Sequence, residues 1–136
     1  MFKECGIVHE TTVPDTLQQD GVRERANRTV VDKAVCILAE SGLDRRFWIQ
    51  ALDTAVYVKN LSPTAALKDS VPEEMWTGHK VDVSHLRVFG CVAYNHVPKK
   101  FRTKLDFKTE PLIMVGYSLT TKNYKLSDPA KPRKII

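Results

Sequence analysis

The stretch 17–32, LQQDGVRERANRTVVD, combines one carboxylate with a basic cluster. Glu24 stands between Arg23 and Arg25, and Arg28 follows one helical turn later. A carboxylate on a rigid helix can ligate Mg²⁺, which prefers oxygen ligands, and two such ions can activate water in phosphoryl transfer. The arginines suit a substrate made of phosphates. The same residues also fit an ordinary helix surface, on which Glu24 and Arg28 form an i,i+4 ion pair.

Helical periodicity places this cluster at the start of a helix. Apolar residues recur every three or four positions over 22–41, which predicts an amphipathic helix. A second helix is predicted over 45–60 and a short one over 72–76, with residues 64–71 as a linker. Before them, residues 7–13 are rich in β-branched side chains and predict a short strand.

The pattern changes after residue 85. Short apolar runs separated by glycines and lysine-rich connections predict strands over 86–94, 111–117 and 123–126, with a fourth beginning at 133. Such strands suit a small barrel or curled sheet. We therefore predict an α+β protein with a helical part over 1–80 and a β part over 86–136.

Composition and charge limit the possible functions. The chain has 136 residues, of which 43% are hydrophobic, and no apolar run long enough to span a bilayer. Its three cysteines are widely spaced, no zinc-ligand spacing occurs, and a reducing compartment is expected. The net charge is +5, and residues 61–136 hold 13 Lys and Arg against 7 Asp and Glu. This asymmetry indicates either a nucleic-acid partner or a solvated surface.

Two basic stretches are candidates for nucleic-acid contact. Residues 99–104, KKFRTK, hold four cations around one aromatic ring, which suits either a phosphate-binding loop or a solvated hairpin loop. Residues 131–134, KPRK, fit a solvated turn or a nuclear-import patch. Four large aromatic residues are expected in the core rather than as stacking platforms: Trp48, Trp76, Phe89 and Tyr94.

Residues 18–29, QQDGVRERANRT, resemble the last catalytic block of integrases from copia-type LTR retrotransposons. Further stretches resemble the same family in the same order. They are Phe47-Trp48, Ala55-Val56-Tyr57, Asn60-x-Ser62-Pro63-Thr64, Trp76-Thr77-Gly78, Ser84 to Cys91, and Val115-Gly116-Tyr117.

This resemblance implies an RNase H-like catalytic core followed by a small SH3-like barrel, here with the core truncated to one strand plus helices. In the family, two Asp and one Glu bind Mg²⁺ or Mn²⁺, and the enzyme processes the 3′ ends of element DNA and joins them to target DNA. Glu24 matches the Glu of that trio, as catalytic residue and metal ligand. The resemblance also implies DNA contacts by Gln19, Arg23, Arg25, Arg28, Lys99, Lys100, Arg102 and Lys104.

The departures from the family pattern leave the enzyme assignment open. The two catalytic Asp residues are expected upstream of the residues present, Leu17 replaces the family's Pro, and Asp20 replaces its Asn. We expect this chain to be inactive alone and not to hold Mg²⁺ stably. Expected partners are DNA and further copies of the protein, and no membrane partner is expected. The expected location is the nucleus, or a cytoplasmic virus-like particle before import. The alternatives are a non-catalytic nucleic-acid-binding remnant, a co-opted module, or a protein-interaction fragment.

Overall fold

The computed structural model describes residues 21–118, 121, 123–128 and 131–135, the last of these as backbone. The predicted strand 7–13 and Gln19 lie outside the described residues. The helices are α1 (Gly21–Ser41), α2 (Trp48–Asn60) and α3 (Pro72–Thr77), and the strands are β1 (Val92–His96), β2 (Thr109–Tyr117), β3 (Tyr124–Asp128) and β4 (Lys131–Ile135). The predicted α+β class is confirmed.

Helices α1 and α2 pack closely because small residues line their contact. Ala34 of α1 and Ala51 and Ala55 of α2 are buried, and alanine lets two helix backbones approach each other. A 3-10 turn at Arg45–Phe47 leads into α2, so the second helical segment begins where the sequence predicts. Asp44 starts that turn, since its Oδ1 accepts a hydrogen bond from the Arg46 N–H at 2.8 Å.

The short helix α3 is confirmed and is fixed at both ends. It begins at a proline and ends at Gly78, whose left-handed backbone (φ 72°) suits glycine. Glu74 Oε1 accepts a hydrogen bond from the Val81 N–H at 3.0 Å, and Oε2 accepts one from the Ser70 hydroxyl. These bonds, led by that from Val81, stabilise the ionised form and lower the pKa of Glu74.

The four strands form one antiparallel sheet in the order β1-β2-β3-β4. Val92 pairs with Ile113 and His96 with Thr109, so β1 and β2 form a hairpin. The register of β2 against β3 shifts between Met114 and Gly116, which is a β-bulge. Gly116 has a φ of 154°, a backbone conformation that favours glycine.

The sheet and the helices share one core. Phe89, which precedes β1, and Val115 of β2 are buried in the same cluster as the alanines of α1 and α2. Phe47 completes that cluster on the helical side. The core therefore includes residues from both sides of the predicted boundary between residues 78 and 86, while the division into 1–80 and 86–136 stays a prediction.

Three tyrosines and a histidine fasten the sheet to α2. The rings of Tyr57 in α2 and Tyr117 in β2 stack with centroids 4.6 Å apart. The Tyr57 hydroxyl lies 2.8 Å from His85 Nε2, and the Tyr124 hydroxyl donates to the His85 carbonyl at 2.7 Å. The Tyr117 hydroxyl donates to the Arg87 carbonyl and accepts from the Arg87 N–H. Segment 85–87 is therefore held between the helix and the sheet.

This joint, the set of contacts that Tyr57, Tyr117, Tyr124 and His85 make between α2 and the sheet, should weaken at alkaline pH. Burial raises the pKa of both Tyr57 and Tyr117, because it disfavours the phenolate. The contribution of these phenols to stability is present below the unfolded-state pKa of about 10 and is lost as pH rises through the higher folded-state pKa. We expect the urea midpoint to fall between pH 9 and 11, and to fall less in Tyr57→Phe. Tyr94→Phe removes an exposed phenol, and its urea midpoint should fall between pH 9 and 11 as much as that of the wild-type chain. An equally large fall of the midpoint in Tyr57→Phe would contradict the prediction.

The structure corrects the predicted strand 86–94. Strand β1 begins at Val92, and the preceding residues form turns in which the Cys91 N–H donates to the Val88 carbonyl. Of these residues Phe89 is buried in the core, whereas Val88 is 71% exposed. The other strands lie where the sequence predicts them, within two residues at most of their ends.

The expected burial of the large aromatic residues was wrong for three of four. Phe89 is buried, whereas Trp48, Trp76 and Tyr94 are 56%, 86% and 73% exposed. Trp76 lies at the end of a six-residue helix that buries none of its residues. Tyr94 lies on β1, where exposed residues alternate with half-buried ones, and it occupies an exposed position.

Candidate nucleic-acid interface

The loop 97–108 joins β1 to β2 and is closed at its base. The Val97 N–H donates to the Lys108 carbonyl at 2.9 Å, so the two ends of the loop extend the hairpin by one pair. Four of the predicted site residues lie together in this loop, namely Lys99, Lys100, Arg102 and Lys104. The structure therefore brings them onto one surface segment, which we call the basic loop.

Two turns give the basic loop a defined shape. Pro98 starts a 3-10 turn over Lys99–Phe101, in which the Phe101 N–H donates to the Pro98 carbonyl at 3.0 Å. A second turn follows, in which the Thr103 N–H donates to Asp106 Oδ2 at 2.6 Å. This hydrogen bond is the main cause of a lowered pKa at Asp106. The one acid of the loop is thus used to hold its backbone.

The basic loop carries a concentrated positive charge. It holds five Lys and Arg residues against Asp106 alone. All four of its lysines are exposed, and Arg102 is half-buried. Lys108 belongs to the loop but was missed by sequence reasoning, which ended the basic stretch at Lys104. Like charges this close repel one another, and a polyanion relieves that repulsion.

Apolar side chains stand among these cations. Phe101 is 70% exposed, Leu105 is 95% exposed and Phe107 is 89% exposed. The Lys100 ammonium lies 4.6 Å from the centre of the Phe101 ring, a cation–π contact. The basic stretch predicted from the sequence included Phe101 and did not extend to Leu105 or Phe107.

The second group of predicted site residues lies on the first two turns of α1. Glu24 is exposed in the first turn, where a carboxylate interacts favourably with the positive end of the helix dipole. Arg25 is held against its own helix, since its Nε donates to the Gly21 carbonyl at 3.0 Å. Within the described part of the chain, Glu24 and Arg28 form no ion pair. Arg23 and Arg28 are likewise exposed on α1.

The described residues contain no group of three or more His, Cys, Asp or Glu side chains that could hold a metal ion. Glu24 by itself supplies one carboxylate, whereas Mg²⁺ needs six ligands, several of which are commonly water. Among the helices that the structure describes, none combines the length and apolar character needed to cross a bilayer.

Comparison with known proteins matches both parts of the chain. Residues 91–136 match the family described as the retroviral polymerase SH3-like domain, which confirms the SH3-like assignment of the β part. The chain is 49% identical over 131 residues to the retrovirus-related Pol polyprotein from transposon TNT 1-94 of Nicotiana tabacum, covering 96% of this chain and 10% of that protein. It is 33% identical over 123 residues to the corresponding polyprotein from transposon RE1 of Arabidopsis thaliana, covering 90% of this chain and 8% of that protein.

A shorter match extends to a protein that is not named as a polyprotein. The chain is 43% identical over 70 residues to an uncharacterized mitochondrial protein of Arabidopsis thaliana, covering 52% of this chain and 58% of that protein. The chain spans a tenth or less of the length of the two Pol polyproteins. No solved structure matches it significantly.

Proposed function

Because this chain belongs with the Pol polyproteins of copia-type retrotransposons and carries a retroviral polymerase SH3-like domain, we propose that it acts in DNA integration as a DNA-binding part of an integrase. One observation carries the DNA-binding role. The basic loop presents five cations, and its single acid is hydrogen-bonded to the loop backbone.

The chemistry of the basic loop suits the backbone of DNA. When lysine and arginine side chains pair with DNA phosphates, the counterions condensed on the DNA are released, and this release drives non-specific binding. The fixed turns of the loop reduce the conformational entropy that binding would otherwise cost. Lys99, Lys100, Arg102 and Lys104 are the proposed phosphate contacts, and we propose the exposed Lys108 of the same loop as a fifth.

The α1 residues are proposed as a second DNA contact of the intact enzyme. Arg23, Arg25 and Arg28 stand on the first two turns of α1, and Gln19 precedes them in the sequence. Glu24 is proposed as a catalytic metal ligand there, with Mg²⁺ or Mn²⁺ as the ion.

The purified chain should therefore bind DNA without joining it. We expect binding to a short duplex whose affinity falls steeply with salt, with a log–log slope of about −4 to −5 if all five loop cations contact phosphates. We expect no Mg²⁺-dependent joining of a labelled donor DNA. Fluorescence anisotropy between 25 and 200 mM salt measures the first property, and a gel assay of donor joining measures the second. Immeasurable affinity at the lowest salt would contradict the DNA-binding role, and joined product would contradict the expected inactivity.

A non-catalytic nucleic-acid-binding module is the second candidate. Binding by the basic loop requires no metal site, and the described residues contain no group of three or more potential metal ligands. Self-association is proposed as well, because α1 and α2 expose apolar side chains such as Val35, Trp48 and Ile49.

The proposed location is the nucleus, or a cytoplasmic virus-like particle before import.

A further inference from the structure

Two phenylalanine rings in the basic loop are exposed to solvent although the loop itself is structured. Phe101 ends the 3-10 turn, and Phe107 follows the Thr103–Asp106 turn directly. Their exposed fractions are 70% and 89%. Phenylalanine is among the residues most often buried in proteins, so two such rings on one short loop indicate a surface that is covered by a ligand.

The charges around these rings restrict what that ligand is. Lys99, Lys100 and Lys104 lie on the same loop, and Lys108 follows Phe107 directly. A matching ligand has flat apolar faces spaced along a chain of negative charges. Nucleic acid with unpaired bases has both features, because its bases stack on aromatic rings while its phosphates pair with cations. Within a duplex the base faces are covered by their neighbours, so a duplex offers the loop its phosphates alone.

We propose that the basic loop binds nucleic acid with unpaired bases, which stack on Phe101 and Phe107 while the loop lysines contact the phosphates. This inference rests on the proposed nucleic-acid-binding function and names the form of nucleic acid that the loop prefers. The Lys100 ammonium lies over one face of Phe101, so a base stacks on the other face of that ring. Phe107 is the more exposed ring.

An anionic membrane surface is the competing ligand, since a loop of lysines and apolar side chains also suits a lipid headgroup layer. Leu105 distinguishes the two. It is 95% exposed and lies between the two rings in the sequence, but it has no π-face for a base to stack on. Insertion into lipid uses Leu105 as well as the rings, whereas base stacking uses the rings alone.

The test measures binding of the full 136-residue chain to a labelled 12-nucleotide single strand and to a blunt duplex of the same length, by fluorescence anisotropy at fixed low salt. We expect the single strand to bind at least about tenfold more tightly, since each stacked base contributes about a factor of ten or more. Phe101→Ala/Phe107→Ala should weaken single-strand binding by about 10- to 100-fold. The same variant should leave duplex affinity and the salt slope unchanged.

Matched variants separate stacking from loss of apolar surface. Leu105→Ala should stay within about twofold of the wild-type chain on the single strand, and Phe101→Tyr/Phe107→Tyr should keep the preference, because tyrosine also stacks. Equal affinities for both nucleic acids, unaffected by the Phe→Ala changes, would overturn this inference and leave the proposed function standing. Absence of binding to either nucleic acid would overturn both. A third outcome is that the chain sediments with phosphatidylserine vesicles, that Leu105→Ala abolishes this sedimentation, and that the chain shows no preference for the single strand. This outcome would assign the loop to a membrane surface and overturn the inference.

Discussion

Replacing Lys99, Lys100, Arg102 and Lys104 together by Gln should lower the affinity of the chain for duplex DNA on the order of 10³-fold at 0.1 M salt. Each phosphate contact contributes about 0.9 to the log–log salt slope, so losing four of the five proposed loop contacts should also bring that slope from about −4.5 to about −0.9. Three of these side chains are exposed and Arg102 is half-buried. The fold should therefore persist, which circular dichroism and a thermal melt can check.

A second quadruple variant separates the basic loop from the net charge. Exchanging Lys33, Arg45, Lys68 and Lys80 for Gln removes the same charge from exposed positions on the helical side. The net charge of +5 falls to +1 in both variants. We expect this control to lose less than about tenfold in affinity, because long-range attraction between charges farther apart than about 10 Å is screened at 0.1 M salt. Equal losses in the two variants would show that net charge, not the basic loop, governs binding.

Gly90→Ala should destabilise the fold by about 3 kcal/mol and lower its melting temperature by about 10 °C. Gly90 has a φ of +85°, and an added Cβ would lie 2.7 Å from the Cβ of Ser41 at the end of α1. The Gly90 N–H also donates to the Met114 carbonyl at 2.8 Å, so the backbone cannot shift away without losing a bond to β2. Thermal unfolding followed by circular dichroism measures the effect.

Gly42→Ala is the matched control for backbone strain. Gly42 also has a left-handed backbone, with φ +65°, but a Cβ there would meet nothing within 4 Å. We expect it to cost about 1 kcal/mol, the penalty of that conformation alone. Adding Ser41→Gly to Gly90→Ala removes the clashing atom and should recover at least about 1 kcal/mol in a double-mutant cycle. If Gly90→Ala lowers the stability no more than Gly42→Ala does, the close approach of Ser41 and Gly90 is disproved.

The helices could be predicted from the sequence because local signals coincide there. The apolar repeat of 22–41 stops at Gly42, and α1 ends at Ser41. Helix α3 has proline at its start and glycine after its end. The stretch 86–91 was mispredicted because Val88, Phe89 and Cys91 have high strand propensity. Tertiary packing overrides that propensity, since Phe89 is needed in the core shared with α1 and α2.

The joint between helices and sheet could not be predicted, because its partners lie far apart in sequence. Tyr57, His85 and Tyr124 meet through hydrogen bonds that span 28 and 39 residues. No periodic signal marks such a pair. The resemblance to integrases singled out Tyr57, His85 and Tyr117 as parts of family motifs, and the structure gives them a common role in fastening 85–87 to α2 and β2.

The candidate site was predictable in charge and not in shape. The run of cations from Lys99 to Lys104 is plain in the sequence. The turn held by Asp106 and the exposure of Phe107 depend on how the loop closes between β1 and β2. Gln19 lies outside the described residues, and the roles of Glu24 and of the α1 arginines stay predictions.

Amide chemical-shift mapping of the full chain during titration with a short DNA locates the residues that contact the DNA. We expect the largest shift changes in residues 97–108 and in the adjoining β1 residues, growing until the DNA is saturating. Changes confined to α1 and α2, or none at saturating DNA and low salt, would contradict the assignment of the basic loop as the nucleic-acid interface.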